Sequence, residues 1–186
     1  MVLAPADADR AHPAFSNLFV ETAAIPERDA LVCSRRPRSG GERLYLIHVL
    51  GGRGRVGPPT PFETDRARFV GRGRTLQAPA ALDPGARLTG TTGAVLDPIV
   101  SLRHALRLPA GGTARLSFTT AFAESEEGAR RLAEKYHDRR AVARALALAS
   151  THSEIERRHL GAADAKLPCA RTCIWVFGFG PLVTTR

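Results

Sequence analysis

The run Phe62-Glu63-Thr64-Asp65-Arg66-Ala67-Arg68-Phe69-Val70-Gly71-Arg72-Gly73-Arg74 concentrates side chains that can bind or react. Arg66, Arg68, Arg72 and Arg74 each offer a planar fork of donors, which suits carboxylates, phosphates and vicinal hydroxyls. Glu63 and Asp65 add two carboxylates. The first half of the run alternates. Phe62, Thr64, Arg66 and Arg68 fall on one face of an extended chain, with Glu63, Asp65, Ala67 and Phe69 on the other. Gly71 and Gly73 then permit bends and close approach of a backbone or ligand. The spacing therefore predicts a charged strand running into a glycine-arginine turn. Two readings fit it: a binding turn, or a salt-bridged surface strand with a bulge. Glycoside chemistry needs two acids facing each other across a sugar. Glu63 and Asp65 alternate with arginines, which points to neutralisation by ion pairs instead.

Other chemistry is thinly represented. His152, Glu156 and His159 stand at metal-ligand spacing on one helical face, but nothing nearby completes a ligand set. A polar helix face accounts for them better, and no metal is expected. His12, His48, His104 and His137 are scattered. No G-x-S-x-G elbow is present. Gly71-Arg72-Gly73-Arg74 lacks the lysine and hydroxyl of a phosphate loop, and no G-x-G-x-x-G follows a strand, so no cofactor is expected. Cys33, Cys169 and Cys173 are odd in number and make no disulfide framework. A reduced, cytoplasmic environment fits them.

The chain of 186 residues is long enough for one domain with a true core. No apolar run approaches the roughly 20 residues of a membrane helix, so no direct membrane insertion is expected. Met1 to Arg10 shows no basic region followed by an apolar core, hence no expected secretory signal. The net charge of +9 would suit a nucleic-acid partner. The arginines are spread along the chain, however, and Lys135 and Lys166 are the only lysines. That distribution argues against a nucleic-acid site.

The elements that must position these side chains are mainly β. Residues 1–11 read as a lead-in. Asn17 to Thr22 and Ala30 to Arg35 read as a strand pair, and Leu44 to Leu50 as a strand buried on both faces. The segment from Ala78 to Gly93 is loop-like. Ser101 to Leu108 and Thr113 to Phe122 each hold a period of two across Pro109-Ala110-Gly111-Gly112, predicting a hairpin. Leu102, Leu106 and Leu108 on one arm, and Leu116, Phe118 and Phe122 on the other, would face a core. Ser125 can cap one helix, with Glu126 and Glu127 in its first turn, and Asp138 a second that Gly161 would stop.

The run ETDRARFVGRGRT, with His12-Pro13-Ala14-Phe15-Ser16 before it and Gly90-Thr91-Thr92-Gly93-Ala94-Val95-Leu96-Asp97-Pro98-Ile99 after it, resembles the N-terminal β-sandwich module of glycoside hydrolase family 94, formerly glycosyltransferase family 36. It looks in particular like the phosphorylase-like region of bacterial cyclic β-1,2-glucan synthases. The likeness covers roughly residues 10 to 161, with its motifs in order. It implies an antiparallel β-super-sandwich of the galactose-mutarotase-like kind over 12–123, followed by a short helical linker over 124–161. In the family that linker leads into an (α/α)6 barrel that carries the general acid for phosphorolysis of β-glucosidic bonds. The resemblance thus implies a carbohydrate-binding or carbohydrate-active module, inactive alone, whose partners are a β-glucan or glucoside and the barrel or a partner subunit. The parent synthase would be associated with the inner membrane. A purely structural packing or dimerisation module is the alternative.

In some family phosphorylases the sandwich supports the dimer and edges the active site. On that ground Arg66, Arg68, Phe69, Arg72, Gly73 and Arg74 are candidate sugar-facing or interface residues. Sugar sites usually add a stacking aromatic, and Phe62 and Phe69 are within reach in sequence, though both also suit a core. Residues 162–186 depart from the family pattern and are expected to be a non-family tail of a truncated or frame-shifted reading frame, with Ile174-Trp175-Val176-Phe177 as a sticky patch.

Overall fold

The computed structural model describes residues 19–37, 43–51 and 60–159, apart from the Arg139 side chain. The expected tail and lead-in lie outside these residues. The chain falls into two compact units, 1–141 and 142–186.

In the first unit, β1 (Val20–Ile25), β2 (Ala30–Arg35) and β3 (Tyr45–Gly51) form first along the chain. β1 and β2 pair antiparallel, Val20 opposite Arg35 and Ile25 opposite Ala30. A 3-10 turn, Pro26–Arg28, reverses the chain between them. Asp29 closes that turn in the left-handed region, at φ 46°, which a short polar side chain tolerates. Apart from His48, β3 is apolar because both its faces are covered in part: Ile47 and Val49 on one side, Leu46 and Leu50 on the other, are buried.

Further along lie β4 (Phe62–Asp65), α1 (Arg66–Val70), a 3-10 turn at Ala80–Leu82, β5 (Gly93–Ala94), β6 (Pro98–Leu102) and β7 (Ser117–Ala123). α2 (Glu126–His137) and α3 (Arg139–His159) follow. A five-stranded sheet has the order β5-β1-β2-β3-β7, and β4 and β6 form a two-stranded sheet. Every pairing is antiparallel. The arrangement is the sheet-rich architecture that the sequence predicts, with its two long helices last and the short α1 set among the strands.

The large sheet is covered on two diagonal halves. On one face α2 lies over β3 and β7, and Ala129 and Ala133 pack against Val32, Ile47 and Val49. On the other face β6 packs near β1, and Val100 meets Val20, Cys33 and Leu46. Burial pushes the Cys33 thiol up to about 12. With Cys169 and Cys173 replaced by serine, a thiol reagent should therefore label Cys33 only after denaturation. Rapid labelling of the native chain would contradict that packing.

Two expectations are corrected here. The arms flanking Pro109 do not pair with each other. β6 joins β4, whereas β7 joins β3 in the other sheet. The extended pairing of β6 ends at Leu102, and the Arg103 guanidinium turns to donate to the carbonyls of Ala81 and Ala86. Leu106 and Leu108 are left exposed. On β7 the phenylalanine face is also the outer one: Phe118 is 50% and Phe122 65% exposed. Ala121 and Ala123 face the core instead, because a helix bearing Ala129 and Ala133 approaches closest over small residues. A period of two separates the faces of a strand without saying which is covered.

Both helix caps are as the sequence implies. Ser125 accepts from the Gly128 amide at 3.0 Å, and Asp138 from the Arg140 amide at 2.9 Å. Within α3, hydrogen bonds from Arg157 and Arg158 hold the Glu154 carboxyl down at about 2.

Candidate functional site

The central run divides at Asp65. Phe62 to Asp65 is β4, but from Arg66 the chain is helical, which corrects the expected continuous strand. The cause is local. Asp65 accepts from the Ala67 amide at 2.8 Å and so caps α1. The alternation of Arg66 and Arg68 with Ala67 and Phe69 carries no strand meaning once this cap forms.

Glu63 is not neutralised by arginine. It is 1% exposed. One carboxylate oxygen accepts from the Thr64 and Asp65 amides at 3.0 and 3.1 Å. The other accepts from the Thr89 amide at 3.1 Å and from the Thr89 hydroxyl. Burial raises its pKa, but the bonds from Thr89, Asp65 and Thr91 outweigh it and leave the carboxyl below its ordinary value. Around it Thr64 donates to the Thr91 carbonyl at 2.7 Å and lies 2.8 Å from the Thr22 hydroxyl on β1. Thr22 also donates to the Gly93 carbonyl at 3.2 Å. These groups form a polar seam between the two sheets. Thr89 is part of it although sequence reasoning did not single it out; its signal is the threonine-glycine cluster from Thr89 to Gly93.

The four arginines separate in the structure. Arg66 pairs with Asp97 at 3.2 Å, and Arg68 with Asp65 at 3.6 Å. Arg74 grips Asp83 with two bonds, at 3.3 and 2.8 Å. Arg72 is exposed, and no hydrogen bond or ion pair engages it among the described residues. Phe69 is half-buried. Gly71, at φ 84°, lies so near Ala80 that an added Cβ would come within 2.7 Å of its methyl group. Gly73, at φ 72°, has open space around it. The turn is thus fastened by Gly71 on one side and the Arg74–Asp83 pair on the other. Arg72 and Gly73 stand at its free tip, where a guanidinium is presented without competition from a neighbouring carboxylate.

Elsewhere, Asp29 accepts from the Thr60 hydroxyl and lies 3.4 Å from His137 Nε2, which ties the end of α2 to the β1–β2 turn. His152 lies 3.7 Å from Glu156 on α3. Among the described residues no three His, Cys, Asp or Glu side chains come together as metal ligands. A cavity of about 310 Å³ opens between β1, β2 and the start of α2, with Ser34, Arg43, Tyr45 and Arg130 in its lining. No residue of the central run lines it. No described helix is long and apolar enough to cross a membrane.

Comparison with known proteins agrees with this architecture. The family model "Glycosyl hydrolase 94, supersandwich domain" matches residues 1–139. The chain is 42% identical over 161 residues to the cyclic beta-(1,2)-glucan synthase NdvB of Rhizobium meliloti (strain 1021). That match covers 86% of this chain and 6% of NdvB, so the chain spans only a small fraction of this relative's length.

Proposed function

The chain belongs to the glycosyl hydrolase 94 supersandwich family, and on that premise we propose that it serves as a carbohydrate-binding module of a cyclic β-1,2-glucan synthase or related phosphorylase. Its ligand is a β-glucan, and its working place is the cytoplasmic side of the parent assembly. The observation that carries this reading is the tip of the glycine-arginine turn. Arg72 is exposed and uncommitted next to an open Gly73, while its neighbours are spent on ion pairs that hold the turn. A free guanidinium can donate two bonds to vicinal sugar hydroxyls. Turnover is assigned to the barrel of the parent enzyme. Within the run Glu63 is locked by donors and Asp65 caps a helix, so neither is available as an acid across a sugar.

Arg72→Ala is expected to weaken binding of a β-1,2-gluco-oligosaccharide by about tenfold or more. Arg74→Ala should act mainly through the turn, since its exposed pair with Asp83 contributes about 1 kcal/mol or less. Equal affinity of Arg72→Ala and wild type would remove the assigned site.

A purely structural module remains the second reading, and a separate observation favours it: the uncovered face of Phe118 and Phe122. If Arg72→Ala alters association of the chain and leaves sugar binding intact, that reading replaces the first.

A further inference from the structure

α2 lies over β3 and β7, and beside it the same face of the large sheet is partly open. The cavity of about 310 Å³ occupies that opening. Strand register sets its walls. Glu21 stands opposite Ser34, and Ser34 opposite Tyr45, so these side chains make one polar row across β1, β2 and β3. In the next row inward Ala23 stands opposite Val32. With Ile25 they give the cavity an apolar floor. Paired strands hold such rows in place, so the cavity is preformed, as small-molecule sites usually are. Those sites span roughly 300–1,000 Å³, which puts this one at the small end.

The charges of the lining do not cancel. Glu126 accepts two bonds from Arg130, at 3.1 and 2.9 Å, and Glu21 accepts from Arg36 at 3.2 Å. Each acid thus has an arginine of its own. Arg43 is half-buried, and no hydrogen bond or ion pair engages its guanidinium among the described residues. The Ser34 and Tyr45 hydroxyls likewise have no hydrogen-bond partner among them. The rim therefore offers one uncompensated cation and two free hydroxyls beside an apolar floor. That pattern suits a single negative charge on a compact apolar body. A doubly charged phosphate would bring a second charge that nothing balances, close to Glu21 and Glu126.

We propose that this cavity is a binding site for a small monocarboxylate with an apolar body. The Arg43 fork takes the carboxylate, the Ser34 and Tyr45 hydroxyls donate to it, and the body lies over Ala23, Ile25 and Val32. No residue of the glycine-arginine run lines the cavity, so the site does not rest on the sugar reading, and either can fail without the other.

The test is titration of the full chain with naphthoate, followed through the amide NMR signals. The expected result is saturable binding, with shifts centred on residues 21–25, 32–34 and 43–45. Naphthamide, the neutral counterpart, should bind about tenfold more weakly, and naphthyl phosphate should also bind more weakly. Arg43→Gln removes no hydrogen bond of the described residues and should weaken naphthoate by about tenfold. Arg115→Gln, exposed and outside the cavity, should leave the affinity unchanged. The comparison of acid with amide uses the wild-type chain, so it stands whether or not a variant folds. No binding, shifts centred elsewhere, or equal affinity for naphthamide overturns the proposal. So does an unchanged affinity in folded Arg43→Gln, or an equal loss in Arg115→Gln. Tighter binding of naphthyl phosphate than of naphthoate overturns it as well, and would make the cavity a phosphate site.

Discussion

Glu63→Ala should cost the fold roughly 3 kcal/mol or more, measured by urea unfolding at neutral pH, because it leaves buried donors without an acceptor at about 1–3 kcal/mol each. The amides of Thr64, Asp65 and Thr89 and the Thr89 hydroxyl all converge on that carboxylate. A domain stable by only 5–15 kcal/mol would feel this as a large loss. Glu63→Gln keeps the shape but turns an NH2 group towards donors, and should retain part of the cost. The pH dependence has a definite sign. The folded-state pKa lies below the ordinary 4.5. Its contribution is therefore complete above 4.5 and disappears as the pH falls through the lower folded value. The acid limb of the stability profile should be shallower in Glu63→Gln than in wild type. Parallel limbs would show that Glu63 is not held as an anion.

A comparable effect is expected where the chain has no side chain at all. A Cβ at Gly51 would meet the Tyr136 carbonyl oxygen at 2.6 Å and the Ser117 hydroxyl at 2.7 Å. Backbone oxygen cannot swing aside as a flexible side chain can. Gly51→Ala must shift the end of α2 or the end of β3, at about 1–3 kcal/mol. Gly73→Ala is the control. Nothing lies within 4 Å of its Cβ position, so only the positive φ opposes it, at about 1–2 kcal/mol. Thermal unfolding should rank Gly51→Ala below Gly73→Ala, and the reverse order would place the strain in the turn instead of the helix–sheet contact.

The strands of the large sheet were legible where covering and composition agree. β2 and β3 are apolar runs bounded by breakers, and both formed with nearly the expected limits. The helix caps at Ser125 and Asp138 were legible because capping is local. The central run departs from its alternating pattern for the same reason in reverse. Alternation suggested a strand through Phe69, but a single aspartate at the cap position turned the chain after Asp65. Glu63 and Thr89 are 26 residues apart, and no spacing rule joins a carboxylate to an amide across that distance. The phenylalanines of β7 show a further limit. Their period was correct, but the covered face was decided by the small residues of α2, a partner that lies elsewhere in the chain.

The candidate site shows the same division. Four arginines of one type and similar spacing look alike in sequence. Their acids, Asp97, Asp65 and Asp83, come from different segments and pair with three of them, which leaves Arg72. Residue type suggested binding; tertiary pairing narrows the choice of residue.

The most direct measurement is a calorimetric titration of the purified chain with β-1,2-gluco-oligosaccharides, beside glucose and a β-1,4 series. Saturable binding of the β-1,2 series in preference to both is the expected result. A well-folded sample that binds none of them would contradict it, and would leave the sandwich as a structural element without a sugar site of its own.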